Sequence, residues 1–70
     1  MTTTTPAHVL RMINERQKLL EKIELLEAFT GGDMFLSLTL LQQRLLEAQL
    51  SAMKSYDTIL VIRIEVEQRT

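Results

Sequence analysis

The stretch from Thr39 to Ile64, TLLQQRLLEAQLSAMKSYDTILVIRI, restricts what this chain can fold into more than any other. Its apolar residues fall at helical spacing on two faces. Leu41, Leu45, Ala48, Ala52, Ile59 and Ile62 make one stripe, and Leu46, Leu50, Met53, Leu60 and Ile64 make a second beside it. One neighbouring helix covers only one of them. The rest of a 70-residue chain has room for a single partner helix, so the sequence predicts a helix pair with an apolar stripe left over for self-association.

Size leads to the same expectation. A domain of this length buries only about 60% of the surface its unfolded chain exposes, and small domains usually add disulfides, a structural metal or oligomerisation. There is no cysteine and one histidine, which leaves oligomerisation. With 46% hydrophobic and 4% aromatic residues, the core is built from Leu, Ile, Val, Met and Ala, as in helix bundles. Eight basic against nine acidic residues argue against a DNA or RNA polymer or an anionic membrane as partner, since those are bound through basic excess. No uncharged run reaches the length of a membrane span, and MTTTTP has neither the basic nor the apolar region of a signal peptide, so the cytoplasm is the expected compartment.

Along the chain, residues 1–5 read as a disordered polar lead. Thr5 is expected to cap a first helix and Pro6 to occupy its first position, with the helix running to about Phe29. Val9, Met12, Leu19, Ile23 and Leu26 form its stripe, widened by Ile13, Leu20 and Phe29 and interrupted by Arg16. The opposite face, with Arg11, Glu15, Lys18 and Glu21, holds ion pairs worth roughly 0.2–0.5 kcal/mol each in an isolated helix. Gly31 and Gly32 stop the helix and are expected to supply positive φ. Asp33 then caps a short turn over residues 33–38 that buries Met34, Phe35 and Leu38. Thr39 and Gln42 have capping-box spacing and start the long helix, which runs to about residue 66 and frays after about Ile64. The alternation from Ile62 to Glu67 also fits a strand, but no second strand exists to pair with it. The fold class is therefore all-α: an antiparallel helical hairpin of two main helices and a short connecting turn, oligomeric.

No catalytic or metal constellation is visible. His8 has no second histidine or cysteine with which to hold a metal, and a polar contact suits it better. Glu15, Glu21, Glu24 and Glu27 share one helix surface with lysines, which is usually a solvated face and not a facing acid–base pair. Phosphate loops and nucleophile elbows are absent as motifs. Tyr56, the one tyrosine, sits beside an apolar stripe, where it serves either as a core-edge ring or as a platform on which a base stacks. Arg63, Arg44, Lys54, Arg11 and Lys22 are the cations available to phosphates.

Thr5-Pro6-Ala7-His8, then Arg11, Glu15, Leu19, Lys22, Leu26 and Ala28-Phe29, then Phe35 and Leu38, then Gln43-Arg44-Leu45, Gln49-Leu50, Met53, Tyr56, Leu60 and Arg63-Ile64, resemble the short crAss-related proteins of tailed phages and prophages. Val61-Ile62 before Arg63 departs from that pattern, where a small residue and a charge are expected. Proteins of that kind are similar in size and architecture to phage sponges that sequester the cyclic nucleotide messengers of CBASS and Thoeris immunity. The resemblance implies a non-enzymatic phage protein, needing no cofactor, that acts in the host cytoplasm as a homo-oligomer. A cyclic oligonucleotide would bind between its subunits through Arg11, Glu15, Lys22, Tyr56 and Arg63, with His8 beside them. The alternative is an oligomeric interaction module whose spare stripe docks a host or phage protein.

Overall fold

A computed structural model describes residues 5–69. Apart from Thr5, the residues of the expected disordered lead lie outside it. The chain forms α1 (Ala7–Thr30), α2 (Asp33–Leu36) and α3 (Leu40–Arg69). Both long helices are rich in Leu and Glu, which hold helical dihedrals at little entropic cost.

Pro6 is itself the N-cap of α1, with φ −59° and ψ 149° and no side-chain cap. Its carbonyl accepts from the N–H groups of Val9 at 3.0 Å and Leu10 at 3.1 Å. The expected Thr5 cap is thus not formed, because the proline is the last non-helical residue and puts Thr5 one position too early. At α3 the capping box forms as expected. The Thr39 N–H donates to Gln42 Oε1 at 3.0 Å and the Gln42 N–H to Thr39 Oγ1 at 3.2 Å.

Between the helices two expectations change. Gly31 has φ −88° and Gly32 φ −102°, so neither uses the left-handed region. The chain leaves α1 with 3.1 Å bonds from Gly31 N–H to the Glu27 carbonyl and from Gly32 N–H to the Phe29 carbonyl, a turn that other residues can also adopt. Of the apolar residues meant to plug the end, Phe35 is buried, with its ring edge-on to Phe29 at 6.3 Å. Leu38 is half-buried and Met34 is 72% exposed. A four-residue helix has one inward face, and Phe35 takes it. Asp33 lies in its first turn without capping it; Gly32 is the cap residue.

α1 and α3 pack along their lengths in opposite senses, with His8 meeting Glu67, Arg16 meeting Asp57 and Glu27 meeting Lys54. Ile13 and Leu20 on α1 and Val61 on α3 are half-buried at the edge of the contact. Along its centre the shielded positions are Val9, Met12, Arg16, Leu19, Ile23, Leu26 and Thr30 on α1 and Gln43, Leu46, Leu50, Met53, Asp57, Leu60, Ile64 and Glu67 on α3. Spacing alternates strictly between three and four, the heptad seam of a coiled coil. The last turns of α3 remain helical to Arg69 instead of fraying after Ile64, because Ile64 and Glu67 still face α1 and Glu67 Oε2 pairs with His8 Nε2 at 2.9 Å.

Arg16 Nε donates to Asp57 Oδ1 at 2.9 Å across the middle of the seam. A polar pair at facing seam positions sets the register of the two helices more than it stabilises them. Replacing both by leucine is expected to be neutral or stabilising by about 1 kcal/mol, the low end of the range because water still reaches the pair. Asp57→Ala alone strands the guanidinium on the seam and destabilises. The denaturation midpoints should rank the double variant at or above the parent and the single variant below both.

The molecule is a rod of 57 × 15 × 14 Å with a radius of gyration of 16.2 Å, against about 11 Å for a compact chain of this length. A rod two helices wide has no enclosed interior. Its buried apolar side chains are Val9, Met12, Ile23, Phe35 and Leu60, and the outer side of α3 is left uncovered.

Candidate functional site

The heptad phase sorts the remaining side chains onto two flanks. His8, Glu15, Lys22 and Phe29 recur every seven residues along one edge of α1, and Gln42, Gln49, Tyr56 and Arg63 do the same along one edge of α3. Contacts put these edges on the same side of the pair. The Tyr56 hydroxyl donates a hydrogen bond to Glu15 Oε1. Lys22 and Gln49 share a shallow groove of about 350 Å³ with Leu25, Leu26, Phe29 and Met53, and the charge of Arg63 acts on Tyr56. Arg11 stands three residues after His8 and four before Glu15, on the adjoining helix surface. Five of the six residues singled out in the sequence, His8, Glu15, Lys22, Tyr56 and Arg63, therefore lie along this flank, and Arg11 stands on the surface next to it. The other flank holds the Glu27–Lys54 pair at 2.9 Å and a groove of about 260 Å³ lined by Ile13, Arg16, Gln17, Leu20 and Ile64.

Within the polar flank the residues are not equivalent. Glu15 and Tyr56 are joined, with Arg63 one helical heptad further along. His8 is held at the far end by Glu67. The apolar floor beside Lys22 continues into Phe29, so one end of the flank offers a cation over an apolar shelf and the other a ring between a carboxylate and a guanidinium. Such a surface suits a flat ring carrying negative charge: aromatic faces stack bases, and guanidinium and ammonium groups pair with phosphate.

The phenol of Tyr56 is raised above its ordinary 10.0, first by the hydrogen bond it donates to Glu15, then by desolvation and the carboxylate's charge, while Arg63 pulls it down. Ionising it would put a phenolate against a carboxylate. The contact's contribution to stability is therefore complete below pH 10.0 and is lost as the pH rises past the raised value. Titrating the tyrosinate absorbance should give a midpoint above that of free tyrosine, lowered by Glu15→Gln and raised further by Arg63→Gln. As this is the one tyrosine in the chain, the signal has a single source.

Sequence reasoning missed three partners: Asp57 for Arg16, Glu67 for His8, and the pairing of Glu27 with Lys54. Asp57 was recoverable, since it occupies the seam position between Met53 and Leu60. The other two depend on which flank each helix turns towards the other. Among the described residues no group of three or more His, Cys, Asp or Glu side chains could hold a metal ion. None of the described helices is long and apolar enough to cross a membrane.

Compared with known protein families, the chain matches the model of the family described as Sequestin over residues 6–66. That span includes all of α1, α3 as far as Val66 and every residue of the polar flank. No curated protein and no solved structure matches the chain.

Proposed function

The chain belongs to the Sequestin family, and we propose that it is a phage-encoded, non-enzymatic protein that sequesters a cyclic nucleotide immune messenger in the host cytoplasm and so silences bacterial anti-phage signalling. The family name suggests a sequestering protein, the cyclic nucleotide is what the resemblance to phage sponges implies, and the chemistry of the polar flank supports it. The observation that carries it is the cluster of Glu15, Tyr56 and Arg63 on one flank, with Lys22 over an apolar groove on the same side. In this reading the hairpin assembles into a homo-oligomer and the messenger lies between subunits. Arg63, Lys22 and Arg11 meet its phosphates, Tyr56 stacks on a base, and Glu15 accepts from a base edge or orients an arginine. His8 marks the end of the site. Sequestration needs affinity and no bond-breaking group, which agrees with the absence of a catalytic motif in the sequence.

The test is calorimetry and thermal shift with a panel of cyclic dinucleotides, cyclic trinucleotides and cyclic ADP-ribose isomers. Heat of binding and a raised melting temperature with at least one of them are expected. Silence across the panel in both measurements would sink the reading. The exposed outer stripe of α3 favours one rival, an interaction module for a host or phage protein. A sequestering oligomer should show one defined mass by light scattering when alone, whereas an adaptor should associate only loosely until its protein partner is present.

A further inference from the structure

The outer stripe of α3 has its own regular pattern. Leu41, Leu45, Ala48, Ala52, Ser55, Ile59, Ile62 and Val66 alternate in steps of four and three, a second heptad seam on the side of the helix away from α1. Its large members are open to solvent: Leu41 is 68% exposed, Leu45 61%, Ile59 51%, Ile62 55% and Val66 54%. The pattern is also nearly palindromic. Bulky side chains stand at both ends and Ala48, Ala52 and Ser55 in the middle, where small residues let two helices approach closely.

We propose that a second copy of this chain docks on this stripe with its α3 antiparallel, about a two-fold axis between Ala52 and Ser55. In that register Leu41 lies opposite the partner's Val66, Leu45 opposite the partner's Ile62 and Ala52 opposite the partner's Ser55. Charge fixes the choice. Arg44 and Glu65 border the seam on one side, both exposed and neither in an ion pair among the described residues. The antiparallel register sets Arg44 against the partner's Glu65 at both ends, whereas a parallel pair would stack Leu41 on Leu41 and leave these charges far apart.

The register also completes the polar flank, and this consequence rests on the function proposed above. Gln49, Tyr56 and Arg63 border the other side of the second seam, so the flanks of the two chains join into one face crossed by the two-fold axis. Tyr56 falls level with the partner's Gln49, and the two tyrosines lie about 10 Å apart along the helices, seven residues at about 1.5 Å each. Lys22, which shares a groove with Gln49, comes level with the partner's Tyr56. The face thus presents two cation-and-ring sets related by a two-fold, suited to a ligand with two bases and two phosphates about its own two-fold, a cyclic dinucleotide.

The register is tested without nucleotide, so its failure is separable from failure of the messenger reading. The chain has no cysteine, so Arg44→Cys and Glu65→Cys variants can be joined selectively by a short bismaleimide. Linked dimer is expected from the mixture and from neither variant alone. Linking of Arg44→Cys with itself, or none in the mixture, would overturn the proposal. Independently, Ala52→Glu faces away from α1 and should keep its helical circular dichroism while the mass by light scattering falls by half. An unchanged mass would also overturn it. If the mixture links but no cyclic dinucleotide binds, the interface stands and the ligand assignment fails.

Discussion

Truncating Leu60 to alanine is expected to cost about 2–5 kcal/mol. The side chain is completely buried at the seam, and α1 and α3 have few other residues with which to fill the hole. At about 0.05–0.15 kcal/mol per residue, a domain of this size holds roughly 4–10 kcal/mol in total, so Leu60→Ala should remove up to half of it or more. Leu45→Ala is the matched control. The same deletion on the outer stripe, where Leu45 is open to solvent in the single chain, should leave a dissociated chain within about 0.5 kcal/mol of the parent. Urea denaturation followed by circular dichroism at several protein concentrations separates the two effects. Leu60→Ala should lower the midpoint at every concentration, and Leu45→Ala only where the parent is associated. Equal losses at low concentration would mean that both stripes are covered within one chain.

The second large effect concerns the polar flank. Arg63→Ala is expected to weaken binding of the messenger by about 2–5 kcal/mol, the usual cost of truncating one side of a desolvated charge pair. Tyr56→Ala should cost about 1–3 kcal/mol through lost stacking. Tyr56→Phe keeps the ring, frees Glu15 and should lose much less. Both positions are exposed in the single chain, so helical content should not change, and the comparison is one of affinity by calorimetry. Parent-like affinity in both alanine variants would remove this flank from consideration.

Some local patterns were legible, while the Thr5 cap, the Asp33 cap and the positive φ of the two glycines did not form, because the helix ends fall one residue away from where the cap residues stand. The Thr39–Gln42 capping box forms because both partners lie in one turn. The stripe of Leu46, Leu50, Met53, Leu60 and Ile64 faces α1 because a heptad positions residues whatever their neighbours do. Where the outcome depended on residues far apart in the chain, expectation failed. The end of α3 was expected to fray, yet His8 and Glu67, 59 positions apart, meet there. By residue type Asp57 is not legible as a seam residue, because a carboxylate fits there only once Arg16, 41 positions away, is set opposite it. Met34, expected in the plug with Phe35 and Leu38, is exposed because a single helical turn brings only Phe35 inward. For the flank, residue types were readable but their juxtaposition was not. The bond between Tyr56 and Glu15 follows only once the phase of both helices is known. The family match over residues 6–66 supports the sequestering part of the sequence reading, and the family it names is Sequestin, not the crAss-related proteins.

Sequestration makes a demand that neither an enzyme nor an adaptor meets: the ligand must leave solution in proportion to the protein and return unchanged. The most direct measurement mixes each cyclic nucleotide of the panel with excess protein, removes the protein-bound fraction by filtration, denatures that fraction by heat and quantifies the nucleotide in both by chromatography and mass spectrometry. The account predicts, for at least one of them, near-complete depletion of the filtrate and full recovery of the intact nucleotide from the denatured protein. Filtrates that keep their nucleotide across the panel, or a released nucleotide that has been opened or cleaved, would contradict it.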